Sequence, residues 1–301
     1  MNSFKPARFC RARRTIALLF ALVGFLPGGL ATGPAKTFQN PILPGFYPDP
    51  SICRVGDDYY LVNSSFEFFP GVPIFHSRDL VNWQPIGYCL TRKSQLNLDH
   101  ARASGGIYAP TLRYHNGTFY MITTLVDKGG NFFVTATNPA GPWSEPVWVD
   151  HSGMDPSLLF DDDGKVYFVW QNGKIARLKD DMTGLAEEPR LLRPANAKEV
   201  GFEGAFLTKI NGRYHLICAE SNLHGKYKTY DCTGASADSI YGPYGDRYPA
   251  IPHGGHNMLF QDAQGQWWST FFGDDPQAPF RERPAMLRIQ VNAAGKIQPE
   301  E

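Results

Sequence analysis

The chain has no excess of charge of either sign: Lys plus Arg and Asp plus Glu each number 29. A nucleic-acid binder would show a basic surplus or stripe, so that class of partner is set aside. Cysteine is scarce, with five in 301 residues, and the spacings of Cys10, Cys53, Cys89, Cys218 and Cys232 match no zinc motif. Long apolar runs are missing too, apart from Ile16 to Leu26 near the N-terminus. Helix-friendly composition is also lacking, because 30 glycines and 24 prolines break the chain too often for a helical protein.

The one apolar run follows Lys5, Arg8, Arg11, Arg13 and Arg14 and leads to small residues around Ala31 to Gly33. That order of charged, apolar and small regions is a signal peptide, expected over residues 1–32, with export to the periplasm or exterior and no membrane contact after its removal. A retained anchor is the competing reading, against which the run is short. The Arg13–Arg14 pair also touches on a twin-arginine signal. Export would take Cys10 away and leave four cysteines, either in one or two disulfides or as buried thiols.

What the chain does have is a repeat. Five segments share an apolar strand, a tight turn with glycine, and a second strand that begins with aromatics. Their turn glycines are Gly56, Gly117, Gly164, Gly212 and Gly265, spaced 61, 47, 48 and 53 residues apart. Asn-Gly and Asp-Gly between apolar runs mark hairpins, whose tight turn needs positive φ at both central residues. Each interval leaves room for two more strands, such as Phe132 to Ala136. Outer turns are expected near His76 to Trp83, Asn138 to Trp143 and Ile240 to Tyr244. Five repeats of four strands predict an all-β, five-bladed β-propeller over residues 37–299, with no inter-domain linker.

A propeller's first strands line its axis, so the residues heading the repeats should meet at one face. Those residues are Asp49, Tyr108, Asp155, Glu203 and His256, the last four each nine residues before the turn glycine and Asp49 seven before Gly56. Three acids and a histidine would thus share one funnel. Crowded carboxylates have perturbed pKa values, as paired acid and base chemistry requires. Glycosidic hydrolysis needs such a pair. A bland account exists for Asp49 and Asp155, each in Asp-Pro-Ser, as turn caps; Glu203 resists it, since Glu is a poor turn former.

These residues resemble glycoside hydrolase family 43. The resemblance rests on NPILPGFYPDPSI from Asn40 to Ile52, SSFEFFPGVPI from Ser64 to Ile74, SGGIYAPT from Ser104 to Thr111, Asp155-Pro-Ser and Phe202-Glu-Gly. It implies an exo-acting, inverting enzyme that releases xylose or arabinofuranose from plant cell-wall polysaccharide or oligosaccharide, β-xylosidase first and α-L-arabinofuranosidase second. Asp49 would be the general base, Glu203 the general acid, and Asp155 the carboxylate that raises and orients the acid. Phe66, Tyr108 and Arg281 would contact the sugar, with Arg283 as a rival to Arg281 and blade packing as the rival role for Phe66. No cofactor is required by the resemblance. His256 would hold a water, or a structural calcium in the central channel through waters; a buried histidine satisfied by backbone is the alternative. The larger β-xylosidases of the family carry a further β-sandwich that helps close the pocket, so a chain ending at Glu301 is expected to have a more open one. The Asn-Asp-Pro-Asn and Arg-Asp-Pro motifs of fructan and sucrose hydrolases are absent. A catalytically inactive carbohydrate-binding propeller is the reading from another class; it would be expected to have lost one of the acids, and all three are present.

Overall fold

A computed structural model describes residues 38–128, 130–149, 153–224, 227–274 and 281–300. The signal peptide expected over residues 1–32, with Cys10, lies outside them. Among the described residues there is no α-helix, and none that is long and apolar enough to cross a membrane.

Twenty strands form five four-stranded antiparallel sheets, each a simple meander in chain order. Blade 1 holds β1 (Ser51–Val55), β2 (Asp58–Val62), β3 (Gly71–Ser77) and β4 (Gln84–Leu90). Blade 2 holds β5 (Thr111–His115), β6 (Thr118–Leu125), β7 (Gly130–Ala136) and β8 (Val147–Val149). Blade 3 holds β9 (Ser157–Phe160), β10 (Val166–Trp170), β11 (Lys174–Arg177) and β12 (Arg190–Leu191). Blade 4 holds β13 (Glu203–Ile210), β14 (Arg213–His224), β15 (Tyr227–Ala237) and β16 (Tyr248–Ile251). Blade 5 holds β17 (Gly255–Gln261), β18 (Trp267–Asp274), β19 (Glu282–Val291) and β20 (Ile297–Pro299). The five-bladed propeller is therefore present, with each repeat as one blade.

The five hairpins are where the glycine spacing puts them, but they do not all use one turn. Positive φ at both central residues occurs at Asn116–Gly117 (47° and 81°) and Asn211–Gly212 (51° and 79°). In blade 3 the loop is one residue longer. Gly164 N–H bonds Asp161 C=O and Asp161 N–H bonds Lys165 C=O, so only Gly164, at φ 75°, is left-handed. The same bonding joins Asp262 to Gln266 around Gly265. An added residue lets an ordinary turn reverse the chain, and one glycine then restores the strand twist.

Packing follows from the alternation of side chains along each strand. Both faces of every blade are buried, so neighbouring residues feed different interfaces. In β6, Phe119 and Met121 face blade 1, while Tyr120 and Ile122 face blade 3. In β10, Phe168 and Trp170 face blade 2, while Tyr167 and Val169 face blade 4. Five apolar clusters result, one between each pair of adjacent blades. Cys53 and Cys89 lie in the first, and Cys218 and Cys232 in the two flanking blade 4; all four are buried free thiols, not disulfides.

The ring closes without strand exchange. β20 is short and leaves part of β19 uncovered, and the segment entering blade 1 takes that edge. The Asn40 side chain donates to Met286 C=O at 2.9 Å and accepts from Met286 N–H at 3.0 Å, and Ile42 N–H donates to Pro284 C=O at 2.9 Å. Ile42 and Leu43 then join Leu61, Phe260, Trp268 and Met286 in the blade 5 to blade 1 interface.

Asn40→Ala should strip two partners from Met286 and cost about 1–3 kcal/mol. The check is a lower urea midpoint with an unchanged slope.

Candidate active site

The four polar repeat heads meet on the axis. Their convergence goes with a backbone irregularity at the start of four of the five inner strands. Asp49, Asp155 and His256 all have left-handed φ, at 53°, 56° and 51°. Among residues with a Cβ, Asp, Asn and His tolerate that region best. Glu tolerates it poorly, and in blade 4 the left-handed residue is its neighbour Gly204, at φ 65°. Strand register also shifts between Glu203 and Phe206 and between Gly255 and Met258. Such bulges turn a side chain out of the regular alternation.

His256 is the centre of the group. Its Nδ1 lies 3.6 Å from Asp49 Oδ1, and its Nε2 lies 3.3 Å from Glu203 Oε1 and 3.7 Å from Asp155 Oδ2. The imidazole rests on Gly204, where a Cβ would stand 3.3 Å from Nδ1. The ring also stacks on Phe272 at 5.8 Å between centroids. Asp155 is 3% exposed in its side chain, His256 7%, and Asp49 and Glu203 12% each. The two more open carboxylates are therefore the pair on opposite sides of the ring.

Burial sets the protonation of this group. It lifts the Asp155 carboxyl to about 7, with His256 opposing and Glu203 and Asp49 adding to the rise. Asp49 is lifted by burial as well, against the pull of His256 and of a hydrogen bond from Ser64 Oγ at 2.5 Å. For His256 burial works downward, but Asp49, Asp155 and Glu203 together overcome it and hold the imidazolium up at about 10. At neutral pH the cluster is a cation ringed by three carboxyls, with the most buried of them, Asp155, the one shifted furthest toward its protonated form.

Backbone contacts lock the acids to one another. Asp155 N–H donates to Thr124 Oγ1 at 3.2 Å, and its carboxylate accepts from Gly204 N–H. Gln171, itself left-handed at φ 54°, donates its N–H to Met154 C=O and accepts from Ala205 N–H, both at 3.0 Å. That residue ties the approach to Asp155 directly to the strand of Glu203.

Three aromatic rings from the segments before β1, β3 and β5 form a group of their own. Phe66 stacks on Phe46 at 5.7 Å and meets Tyr108 edge-on at 5.9 Å. The loop bearing Tyr108 is held by Glu67, which accepts from Ser104 N–H, and by Asp127, which accepts from Gly106 N–H. Arg281 is half-buried directly before β19. Its rival Arg283 lines a cleft of about 690 Å³ with Asn40, Pro44, His253 and Phe271, apart from the carboxyl cluster.

Asp155, Glu203 and His256 can each offer one donor atom within 4.8 Å of the others. Calcium takes six to eight oxygen ligands. Two carboxylates and one imidazole fall well short of that shell, so these residues would hold calcium only with several waters completing it.

Four contributors were not legible as site residues in the sequence. Ser64 and Phe46 lie inside quoted motifs, but nothing separates them there from blade packing. Tyr230 in β15 and Phe272 in β18 sit far from any repeat head, and only the register of the folded sheets brings them to Glu203 and His256.

Comparison with known proteins places the chain in a family. The model of glycosyl hydrolases family 43 matches residues 38–297. The chain is 41% identical over 284 residues to a non-reducing end α-L-arabinofuranosidase of Bacteroides ovatus, covering 88% of this chain and 53% of that protein. It is 43% identical over 266 residues to a xylosidase/arabinosidase of Butyrivibrio fibrisolvens, covering 79% of this chain and 51% of that one. The solved structure of a xylan β-1,4-xylosidase from Bacillus halodurans C-125 superposes with a TM-score of 0.78 at 35% identity, covering 87% of this chain and 56% of that one. The chain thus spans about half the length of the relatives it matches.

The lifted Asp155 makes a stability prediction. Its folded pKa lies above the unfolded value of 3.8, so its contribution is complete below about pH 4 and is lost as pH rises through about 7. Relative to Asp155→Asn, the wild type should lose melting temperature over that interval; a difference that stays constant with pH would contradict the assignment.

Proposed function

The chain belongs to glycosyl hydrolases family 43, and from that membership and the carboxyl cluster we propose that it is an exo-acting, inverting glycoside hydrolase. The observation that carries this reading is the placement of Asp49 and Glu203 on opposite sides of one imidazole. The nitrogens of that ring are about 2 Å apart, so the facing oxygens are separated by at most about 9 Å, a bound that leaves room for the ~6.5–9.5 Å span that inverting enzymes use to admit a water.

Asp49 is the general base. Held by Ser64 and His256, it takes a proton from a water as the water oxygen attacks the anomeric carbon. Glu203 is the general acid, giving its proton to the departing glycosidic oxygen as that bond breaks. Asp155 is the third carboxylate, buried beside Glu203 at the same imidazole nitrogen, and orients the acid. Phe46, Phe66 and Tyr108 present ring faces suited to the apolar side of a sugar, with Arg281 supplying hydrogen bonds to its hydroxyls.

The substrate is an oligosaccharide or polysaccharide of the plant cell wall, and the sugar released is β-linked xylose or, second, α-L-arabinofuranose. Relatives named for each of these activities support that choice, and one is named for action at the non-reducing end. The charged, apolar and small regions of residues 1–32 support export, which would bring the enzyme to such a substrate.

Nitrophenyl β-D-xyloside and nitrophenyl α-L-arabinofuranoside test the reading. Wild type should cleave at least one, and Glu203→Ala and Asp49→Ala should each lower kcat/KM by about 10²–10⁴-fold. Undiminished turnover in either variant would remove that residue from its role, and a folded wild type inert toward both sugars would favour the binding-propeller alternative.

A further inference from the structure

One hydroxyl beside Glu203 has no part in the roles above. The Tyr230 phenol in β15 donates a hydrogen bond to the Glu203 carboxylate. Its ring packs edge-on against Phe272 at 5.4 Å, and Phe272 in turn stacks on His256. This arrangement needs the glycine at position 255. A Cβ there would lie 2.7 Å from Tyr230 Cβ and 2.9 Å from the Phe272 ring, closer than real Cβ atoms approach. Residues of β15, β17 and β18 are thus shaped around one O–H aimed at one carboxyl. Burial pushes the phenol's pKa upward, and Glu203 and Glu282 push the same way, so Tyr230 remains a donor throughout the neutral range.

We propose that Tyr230 is a positioning residue for the general acid, fixing the Glu203 carboxyl from one side while His256 fixes it from the other. The inference rests on the reading of Glu203 as the acid. A glutamate has three side-chain torsions, and an acid must stand within about 2.6–3.2 Å of the oxygen it protonates. Misplacement by about 1 Å can cost on the order of a hundredfold in rate. Two contacts from different strands restrict those torsions. The packing of Tyr230 against Phe272 ties the restriction to the same aromatic that supports His256.

Leaving-group dependence separates this role from general support of the fold. A sugar alkoxide needs protonation to depart, whereas dinitrophenolate does not. Tyr230→Phe keeps the ring on Phe272 and removes only the hydroxyl. For the sugar the wild type prefers, the unactivated disaccharide and the 2,4-dinitrophenyl glycoside are compared in wild type, Tyr230→Phe and Glu203→Gln. Tyr230→Phe should lower kcat on the disaccharide by about 10- to 100-fold, the worth of one hydrogen bond to a charged group. KM and turnover of the dinitrophenyl glycoside should stay within about threefold. Equal loss on both substrates, or no loss on either, would overturn the proposal. If Glu203→Gln also loses both substrates alike, the reading of Glu203 as acid fails; if it discriminates and Tyr230→Phe does not, only the role of Tyr230 fails.

Discussion

Three carboxyls cannot be buried around one axis unless something offsets their repulsion, and in this propeller that something is the His256 imidazole. Its Nδ1 faces Asp49, and its Nε2 faces Glu203 and Asp155. Desolvation alone would drive the ring to neutrality; three carboxyls keep it charged. The dependence is reciprocal, since the same cation holds Asp155 and Asp49 below where burial would otherwise leave them. Any account of the chemistry therefore begins with a histidine that takes neither the acid nor the base role.

The fold holds this arrangement in place by distributing its constraints. Five apolar interfaces fix the blades against one another, and Asn40 with Ile42 closes the ring on β19. The inner strands then begin at fixed positions around the axis. At three of the five the heading residue is left-handed, in blade 4 the glycine after Glu203 takes that conformation, and Tyr108 of blade 2 does without it. A left-handed residue with a Cβ is disfavoured in isolation, so its recurrence at the site marks strain that the surrounding packing sustains.

Much of this was legible in the sequence. The glycine spacing pointed to five blades, and the residue nine before four of the glycines, or seven before Gly56, marked the heads of the inner strands, because both are local consequences of a repeated hairpin. Asp49, Asp155, Glu203 and His256 could be expected to converge for the same reason. Less could be read of what surrounds them. Phe272 reaches His256 through the register of β17 with β18, where it pairs with Gly255, Tyr230 comes in from β15 of the neighbouring blade, and the turn in blade 3 differs from that of blade 2 because of one additional residue. The electrostatic role of His256 was also hidden: a histidine heading a strand reads equally as a satisfied core residue or a ligand until its distances to three carboxyls are known.

The central claim is that Asp49 and Glu203 act from opposite sides of His256 with a water between them and the sugar. Proton NMR of the first sugar released from a β-xyloside, or from an α-arabinofuranoside if that is the substrate, observes the consequence directly. The account predicts that the newly formed sugar first appears as the anomer opposite to the substrate's and only later equilibrates. A product that first appears with the substrate's own configuration would require a covalent intermediate, and would contradict the assignment of Asp49 as a base acting through water.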